Sequence, residues 1–261
     1  MTWIEALILG LIQGLTEFLP VSSSGHLEIG KVLLNVEVKE DLTFTVLVHF
    51  ATVLSTITVF FGEIKGLTKG LFAFKWNSET KYVTRILVSM IPVLIVGVLF
   101  KDEVESLFSG NLRLVGVALL VTAALLISTQ LVKAGNKKIP IPDALLMGIA
   151  QAIAVIPGIS RSGATISTGL LLKNDRSEVA RFSFLMVLIP IIGAALLDIL
   201  SLSSSSGEPT ISTGSLIIGF LAAYISGYMA CTWMIRLVKK GNLYWFAVYC
   251  AVVGVISIVF A

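Results

Sequence analysis

Long apolar stretches follow one another along the chain, each close to the roughly 20 residues that a helix needs to cross a bilayer. They cover residues 43–61, 82–100, 111–132, 179–199, 212–234 and 243–261. Two further apolar runs, 3–19 and 144–156, are stopped by Pro20 and Pro157. A Ser/Gly turn and a second short apolar piece follow each of them, at 25–34 and 163–172. Because broken helices at membrane depth must line a cavity or be covered by protein, the pattern predicts six transmembrane helices plus two re-entrant helical hairpins.

The composition supports this interpretation. Of the 261 residues, 56% are hydrophobic and only 13% are charged, and the mean hydropathy is +0.95. A soluble domain is far more polar, so we expect an all-α integral membrane protein with one membrane domain over residues 1–261. The first residues lack a basic region and a cleavage site, so they are not expected to form a removable signal peptide. Cys231 and Cys250 lie in apolar stretches without CxxC spacing and are expected to be free, buried thiols.

The two halves of the chain resemble each other at a spacing of 138 residues, so that ALILGLIQ at 6–13 aligns with ALLMGIAQ at 144–151. The turn residues of the two hairpins keep the same spacing: Ser22, Ser24 and Gly25 match Ser160, Ser162 and Gly163. One hairpin and three spans in each half would place the second half upside down. We therefore expect two inverted-topology repeats, about 1–135 and about 140–261. Chance similarity between apolar runs is the alternative.

The basic residues indicate which face is cytoplasmic. With six spans, most of the 19 lysines and arginines fall on one face of the membrane, and the other face receives only Lys31, Lys39, Lys101 and Arg113. The richer face is cytoplasmic by the positive-inside rule, which places both termini and the loop at 203–209 outside. The net charge of +3 therefore reports topology first and an anionic partner second.

The first hairpin concentrates polar residues in residues 13–26, QGLTEFLPVSSSGH. An ionisable side chain at membrane depth is costly and marks a functional site by default. Gln13 and Glu17 are four residues apart, so they share one face of a helix. Beyond Pro20, hydroxyls and free N–H groups at a helix start would form an anion seat from Ser22, Ser23, Ser24 and Gly25. His26 follows Ser23 by one turn, close enough to share its proton or to hold a phosphate oxygen. The alternative is helix capping beside a structural carboxylate.

The second hairpin adds a permanent positive charge within residues 157–165, PGISRSGAT. Arg161 carries a planar fork that suits phosphate oxygens. The other polar or turn-forming members of this motif are expected to border the same anion: Gly158, Ser160, Ser162 and Thr165. A structural arginine paired with Glu17 is the alternative. We expect the two hairpins to face each other and to form one site.

A carboxylate beside a diphosphate would repel it strongly in a dry site, so a cation or a proton must intervene. Only oxygen ligands are on offer, which favours Mg²⁺ or Ca²⁺ held by Glu17 and Gln13. The sequence has no Cys/His cluster for zinc or iron. His49 is expected to be a hydrogen-bonded packing residue, and Asp143 is expected to cap a helix that starts at Ala144.

These motifs resemble those of the undecaprenyl-diphosphate phosphatases, also called bacitracin-resistance proteins. The resemblance rests on the Gln13-x3-Glu17 pair, SSSGH at 22–26 and PGxSRSGxT at 157–165, and it extends over essentially the whole chain. It implies interlocked inverted repeats, removal of the terminal phosphate from undecaprenyl diphosphate, a Mg or Ca requirement, and a site open to the outer face of the bacterial inner membrane. Many relatives have a second glutamate where Gln13 stands, so Glu17 becomes the main candidate for a base or an anionic metal ligand.

The resemblance assigns catalytic roles to Glu17, Ser23, His26 and Arg161. A serine nucleophile at Ser23 and an activated water both remain open. The expected partners are a polyprenyl diphosphate and membrane lipids; a homodimer is compatible with the sequence, and no nucleic acid is expected. A lipid-phosphate flippase or secondary anion transporter is the alternative function, because such proteins also join broken helices at the midplane.

Overall fold

The protein is helical throughout the part of the chain that the computed structural model describes, residues 1–34, 38–107, 110–133, 135–204 and 211–261; side chains are not described for residues 38–42, 105 and 194–204. No β-strand occurs within these ranges. They contain two isolated β-bridges, one between Gly135 and Asp175 and one between Lys137 and Asn174. The helices are α1 (Trp3–Phe18), α2 (Ser23–Leu34), α3 (Val38–Val59), α4 (Phe61–Leu71), α5 (Ser78–Leu99), α6 (Lys101–Ser106), α7 (Leu112–Ser128), α8 (Ile141–Ile153), α9 (Arg161–Leu171), α10 (Arg176–Ser204), α11 (Thr213–Lys240) and α12 (Tyr244–Val259). A 3₁₀ turn, Thr129–Leu131, extends α7.

Every predicted apolar stretch coincides with one helix or one arm of a hairpin. α1 and α2 form the first hairpin, and α8 and α9 form the second. α1 ends at Phe18, and Leu19 is extended because a proline disfavours helical geometry in the residue before it. α8 ends at Ile153, four residues ahead of Pro157. The short helices α4 and α6 were not predicted from the sequence.

Three helices in the described part of the chain are long and apolar enough to cross a membrane: α5, α7 with its 3₁₀ extension, and α11. A fourth is added if α3 and α4, which meet at a bend of 75°, count as one broken span. Large apolar side chains of α5 face outward, including Val98 at 76% exposure and Leu99 at 67%. Exposed apolar faces of this kind suit lipid, so this is a multi-pass membrane protein. The arrangement of six spans and two re-entrant hairpins stays a prediction.

The hairpin of each half packs on a long helix of the other half. α1 lies against α11, and α8 lies against α5, while α7 packs on α12. Gly10 in α1 and Gly148 in α8, which match at the 138-residue spacing, both sit at these contacts. A Cβ at Gly10 would lie 3.0 Å from the side chain of Ala222, and one at Gly148 would run into the backbone of Ser89. The missing side chains therefore let both hairpins approach their partner helices closely.

Two local expectations differ from the described structure. Asp143 does not cap α8, because the helix starts at Ile141 after an N-cap at Pro140. Its carboxylate lies in the first turn instead and accepts hydrogen bonds from Asn174 and Lys137, both at 2.8 Å. The predicted loop at 203–209 begins inside α10, which continues to Ser204, and residues 205–210 lie outside the described residues.

The buried core joins the two hairpins to the long helices. It includes Phe18 and Val21 from the first hairpin, Ile166 from the second, and Phe182 and Phe184 from α10. Cys231 and Cys250 are buried, free thiols, as predicted.

Candidate active site

The centre of the site is the carboxylate of Glu17, which lies near the C-terminal end of α1 with its side chain only 6% exposed. One carboxylate oxygen accepts a hydrogen bond from Nη2 of Arg161 at 2.7 Å, across the interface between the two hairpins. The other accepts from the amide of Gln13 at 2.9 Å and from the hydroxyl of Ser23 at 2.6 Å. A buried carboxylate is stable only when its charge is paired and its lone pairs are satisfied, and both conditions hold here.

Arg161 is less buried than its partner, with 29% of its side chain exposed. Within the described residues, its guanidinium makes one side-chain hydrogen bond, the one to Glu17. The remaining N–H groups are therefore available to a ligand. Arg161 is also the first residue of α9, and Ser23 is the first residue of α2, so two helix N-termini meet at this point. Both helix dipoles favour an anion here.

His26 lies one turn beyond Ser23, but neither of its ring nitrogens is bonded to that serine. Nδ1 is 2.8 Å from the carbonyl of Ser22, so it carries a proton and donates it there. Nε2 lies 2.7 Å from the hydroxyl of Tyr249, whose ring stacks on the imidazole at a centroid distance of 5.5 Å. In the neutral ring Nε2 accepts that hydroxyl proton. The expected direct link between His26 and Ser23 is thus absent in this arrangement, and Glu17 is the group that receives the Ser23 proton.

The turn between α8 and α9 is stabilised by a helix cap and by two hydrogen bonds with Thr122. Ser160 is the N-cap of α9, and its hydroxyl accepts from the N–H of Gly163 at 3.0 Å. The hydroxyl of Thr122 in α7 donates to the carbonyl of Gly158 at 3.2 Å and accepts from the N–H of Ser160 at 3.0 Å. Gly158 has φ +97°, a backbone region that side chains disfavour. A glycine is therefore required where the chain reverses.

The other predicted hydroxyls bond within or between the turns. Ser162 donates to the carbonyl of Leu19 at 3.3 Å, which ties the second hairpin to the first. Thr165 donates back to the carbonyl of Arg161 at 3.0 Å. Ser22 and Ser24 lie with their hydroxyl oxygens 3.3 Å apart. Ser162 and Thr165 line the cavity beside Glu17 and Arg161, and a substrate-binding role for all four residues stays a prediction.

The two turns touch at their glycines. A Cβ at Gly25 would lie 3.1 Å from the Cα of Gly158 and equally close to a methyl of Val115. Such a contact is tighter than side chains normally accept, so a side chain at Gly25 would push the two turns apart. The distance between Glu17 and Arg161 therefore depends on residues that carry no functional group.

A narrow cavity extends from the Glu17–Arg161 pair between α3 and α10. The space open to the centre of a water molecule is about 20 Å³, room for about one water. Its polar wall includes side chains that sequence analysis did not select: Thr52, Thr56 and Ser183. Its apolar wall is formed by Val53, Phe184, Val187, Leu188 and Ile191. Hydroxyls in long apolar helices carry no motif, so only their placement beside the charged pair marks them.

Two further residues escaped the sequence analysis for the same reason. Thr122 lies in the apolar helix α7, and Tyr249 lies in α12, far along the chain from the turns that they hold. His49 is hydrogen-bonded within α3, since its Nδ1 donates to the carbonyl of Thr45 at 2.8 Å, and its role as a packing residue stays a prediction.

The oxygen atoms of the site suit a hard divalent cation. The carbonyl oxygen of Gln13 is buried and has no hydrogen-bond partner among the described residues, and it belongs to the side chain whose amide contacts Glu17. One carboxylate and one free amide oxygen match the ligands of Mg²⁺ or Ca²⁺, which take further oxygens from phosphates and water. Within the described residues, no group of three or more His, Cys, Asp or Glu side chains could hold a metal alone. The residues therefore fit a cation that a phosphate ligand helps to bind.

Comparison with known proteins identifies the family. The sequence profile described as "Bacitracin resistance protein BacA" matches residues 6–256. The chain belongs to this family. It is similar to proteins named undecaprenyl-diphosphatase from Bacteroides fragilis, at 57% identity over 99% of this chain and 98% of the relative, and from Parabacteroides distasonis, at 55% over the same shares. A relative with the same name from Methanosphaera stadtmanae is 38% identical over 98% of this chain and 97% of its own length.

Membership of the BacA family confirms the resemblance that the motifs carried. The matched region contains the whole second hairpin and all of the first except Trp3–Glu5, and it includes the Glu17–Arg161 pair.

Proposed function

We propose that this protein is an undecaprenyl-diphosphate phosphatase, which releases the terminal phosphate of the lipid and returns the monophosphate carrier to cell-wall synthesis. The observation that carries the proposal is the 2.7 Å contact between Glu17 and Arg161, which joins the two broken hairpins. A buried acid and an arginine fork that share one pocket are the groups needed to bind a diphosphate and to accept a proton from a nucleophile. The names of the similar proteins support the same activity.

Arg161 holds the phosphates in this proposal. The N–H groups of its guanidinium that have no hydrogen-bond partner among the described residues donate to the phosphates. The N-termini of α2 and α9 add backbone N–H donors and a positive potential at the same point. In phosphoryl transfer the protein lowers the barrier mainly by positioning and by electrostatic stabilisation. The contact with Glu17 keeps the guanidinium in place between turnovers, and the diphosphate then shares it.

Glu17 acts as the proton acceptor. It already accepts a hydrogen bond from Ser23 at 2.6 Å, so it can take that proton if Ser23 attacks the terminal phosphorus. The bond from that phosphorus to the bridging oxygen then breaks, undecaprenyl phosphate leaves, and water hydrolyses the phosphoserine to release phosphate. If water attacks instead, Glu17 and Ser23 orient it. His26 is bonded to Tyr249 and to the backbone, which suits a residue that orders the turn and stabilises charge at the helix start.

Glu17 and Gln13 would hold a Mg or Ca ion, which would offset the repulsion between the carboxylate and the substrate and stabilise negative charge in the transition state. The free carbonyl oxygen of Gln13 supports this assignment. Because the protein offers few ligands of its own, we expect cation binding to be weak until the diphosphate is present.

The polyprenyl tail lies along apolar helices, and the diphosphate enters between the hairpins. The protein resides in the bacterial inner membrane, and the pocket opens to the outer face. The positive-inside rule supports this orientation, because one face of the predicted topology carries few lysines and arginines and is therefore the outer face.

Phosphate release from undecaprenyl diphosphate by the purified protein in detergent tests the proposal. We expect steady turnover without any membrane gradient, loss of turnover with a chelator, and recovery with Mg²⁺ or Ca²⁺. A pure carrier or flippase releases no phosphate under these conditions. Absence of turnover with every divalent cation tested, in a protein shown to be folded, would refute the enzyme assignment.

A further inference from the structure

Ser183, in α10, lies in the cavity next to the charged pair and has no assigned role. Its side chain is 2% exposed, and it lines the same narrow cavity as Glu17 and Arg161. Its hydroxyl has no hydrogen-bond partner among the described residues.

The free hydroxyl is unusual for a serine within a helix. Such a serine ordinarily donates its proton to a carbonyl three or four residues back. Other buried hydroxyls here do so, since Ser226 donates to Ala222 at 2.6 Å and Ser89 donates to Ile86 at 2.7 Å. Thr52, Thr56 and Thr165, which line the same cavity, also donate to backbone carbonyls. Ser183 is therefore the hydroxyl of this cavity whose proton is not used by the described part of the protein.

A buried donor without an acceptor destabilises a folded protein, unless a ligand or water supplies the acceptor. The cavity beside Ser183 has room for about one oxygen-sized group, and its charged lining residues are Glu17 and Arg161. A phosphate oxygen that entered beside Arg161 could replace a water at this position and accept the serine proton.

We infer that Ser183 is a substrate-binding residue, whose hydroxyl donates a hydrogen bond to an oxygen of the diphosphate that Arg161 holds. This inference rests on the proposed function for the identity of the anion. It gives the site a third wall, from α10, in addition to the two hairpins. The hydroxyl contributes a neutral donor, so it strengthens binding of the anion without adding charge at membrane depth.

The test compares Ser183→Ala with Ser167→Ala. Ser167 in α9 is a matched control, because it is fully buried and its hydroxyl also has no partner among the described residues, but it does not line this cavity. Loss of a hydrogen bond to a charged group lowers kcat/KM for undecaprenyl diphosphate by about 10- to 100-fold in Ser183→Ala. Ser167→Ala stays within about twofold of the wild type. Both variants keep or raise the thermal midpoint, because each loses an unsatisfied buried donor.

Ser183→Cys is the second variant, since a thiol has nearly the same shape but is a weak donor. It should lose activity as Ser183→Ala does, and it decides the matter if the alanine variant does not fold. Binding of inorganic pyrophosphate with Mg²⁺, measured by calorimetry, should weaken in both Ser183 variants and not in Ser167→Ala. This measurement needs no turnover, so it still tests Ser183 if the wild type proves not to hydrolyse the lipid. Folded Ser183 variants with wild-type turnover and wild-type pyrophosphate affinity would overturn the inference.

Discussion

The turns of the two hairpins share a hydrogen-bond pattern but carry opposite charges. In both, a serine hydroxyl accepts from the N–H of a glycine three residues on, Ser22 from Gly25 at 3.3 Å and Ser160 from Gly163 at 3.0 Å. In both, that same hydroxyl lies close to a second serine hydroxyl two residues on, at 3.3 Å in the first turn and 3.2 Å in the second. The repeated spacing in the sequence thus corresponds to a repeated hydrogen-bond pattern in the turns.

The differences fall at the positions that carry function. At the 138-residue spacing, Ser23 of the first turn corresponds to Arg161 of the second, and Glu17 corresponds to Val155. The amide of Gln13 donates to Glu17 one turn on, whereas a valine stands four residues after the equivalent Gln151, whose amide has no partner among the described residues. The first hairpin therefore supplies the carboxylate of Glu17 and the hydroxyl of Ser23, and the second supplies the guanidinium of Arg161. Two turns with the same hydrogen-bond pattern position the charges, and the residues that differ between them make the site.

Removal of the positive charge of the second hairpin should have the largest effect. Arg161→Ala loses the phosphate clamp and leaves Glu17 buried without a counter-charge, so we expect turnover to fall by about 10³-fold. Arg181→Ala is the matched control, because Arg181 also pairs with a glutamate, Glu63, but away from the hairpins. Phosphate release and thermal midpoint are measured for both. Near-normal hydrolysis by a folded Arg161→Ala protein would contradict the clamp.

The first hairpin can be tested at two neighbouring serines. Ser23→Ala removes the hydroxyl that donates to Glu17, and we expect turnover to fall by about 10²–10³-fold. Ser24→Ala removes a hydroxyl that contacts Ser22 instead, and it should change turnover by only a few-fold. Mass spectrometry of rapidly quenched wild-type enzyme then separates the two chemistries. A phosphorylated Ser23 indicates a serine nucleophile, while substantial turnover by Ser23→Ala indicates water.

The glutamine of the first hairpin should control the cation requirement. Gln13→Glu places a second carboxylate next to Glu17, which binds a divalent cation more strongly than an amide oxygen does. We expect half-maximal activity at a Mg²⁺ concentration several-fold lower than in the wild type. Gln151→Glu, at the equivalent position of the second hairpin, is the control and should leave this concentration unchanged. An unaltered Mg²⁺ dependence in Gln13→Glu would argue against a ligand role for this position.

The smallest expected effect concerns the support of the second turn. Thr122→Val keeps the shape of the side chain but removes the bridge to Gly158 and Ser160, which leaves two backbone groups unsatisfied. The free energy of unfolding should fall by about 1–3 kcal/mol, and turnover by a few-fold as Arg161 becomes less well positioned. Ser128→Ala, which removes a hydroxyl bonded only within its own helix, serves as control. Equal thermal midpoints for the two variants would show that the bridge does not support the turn.

Much of the fold follows from local rules that can be applied to the sequence. Long apolar runs and the prolines that interrupt them located most of the helices, as at α1 and α8. The same rules missed α4 and α6, which are too short and too polar to stand out. They also assigned Asp143 to a cap, which is wrong, because the apolar pattern placed the start of α8 at Ala144 and the helix starts at Ile141.

The sequence by itself determined that this chain is a helical membrane protein with polar chemistry at two broken hairpins, because charges and prolines at membrane depth are too costly to occur there without a reason. Only the tertiary structure decided which groups meet. It paired Glu17 with Arg161 and Ser23, turned His26 toward Tyr249, and brought Thr122 and Ser183 from apolar helices to the site. Most of these contacts join residues far apart along the chain, and they depend on how closely helices pack, a distance that no periodicity in a sequence encodes.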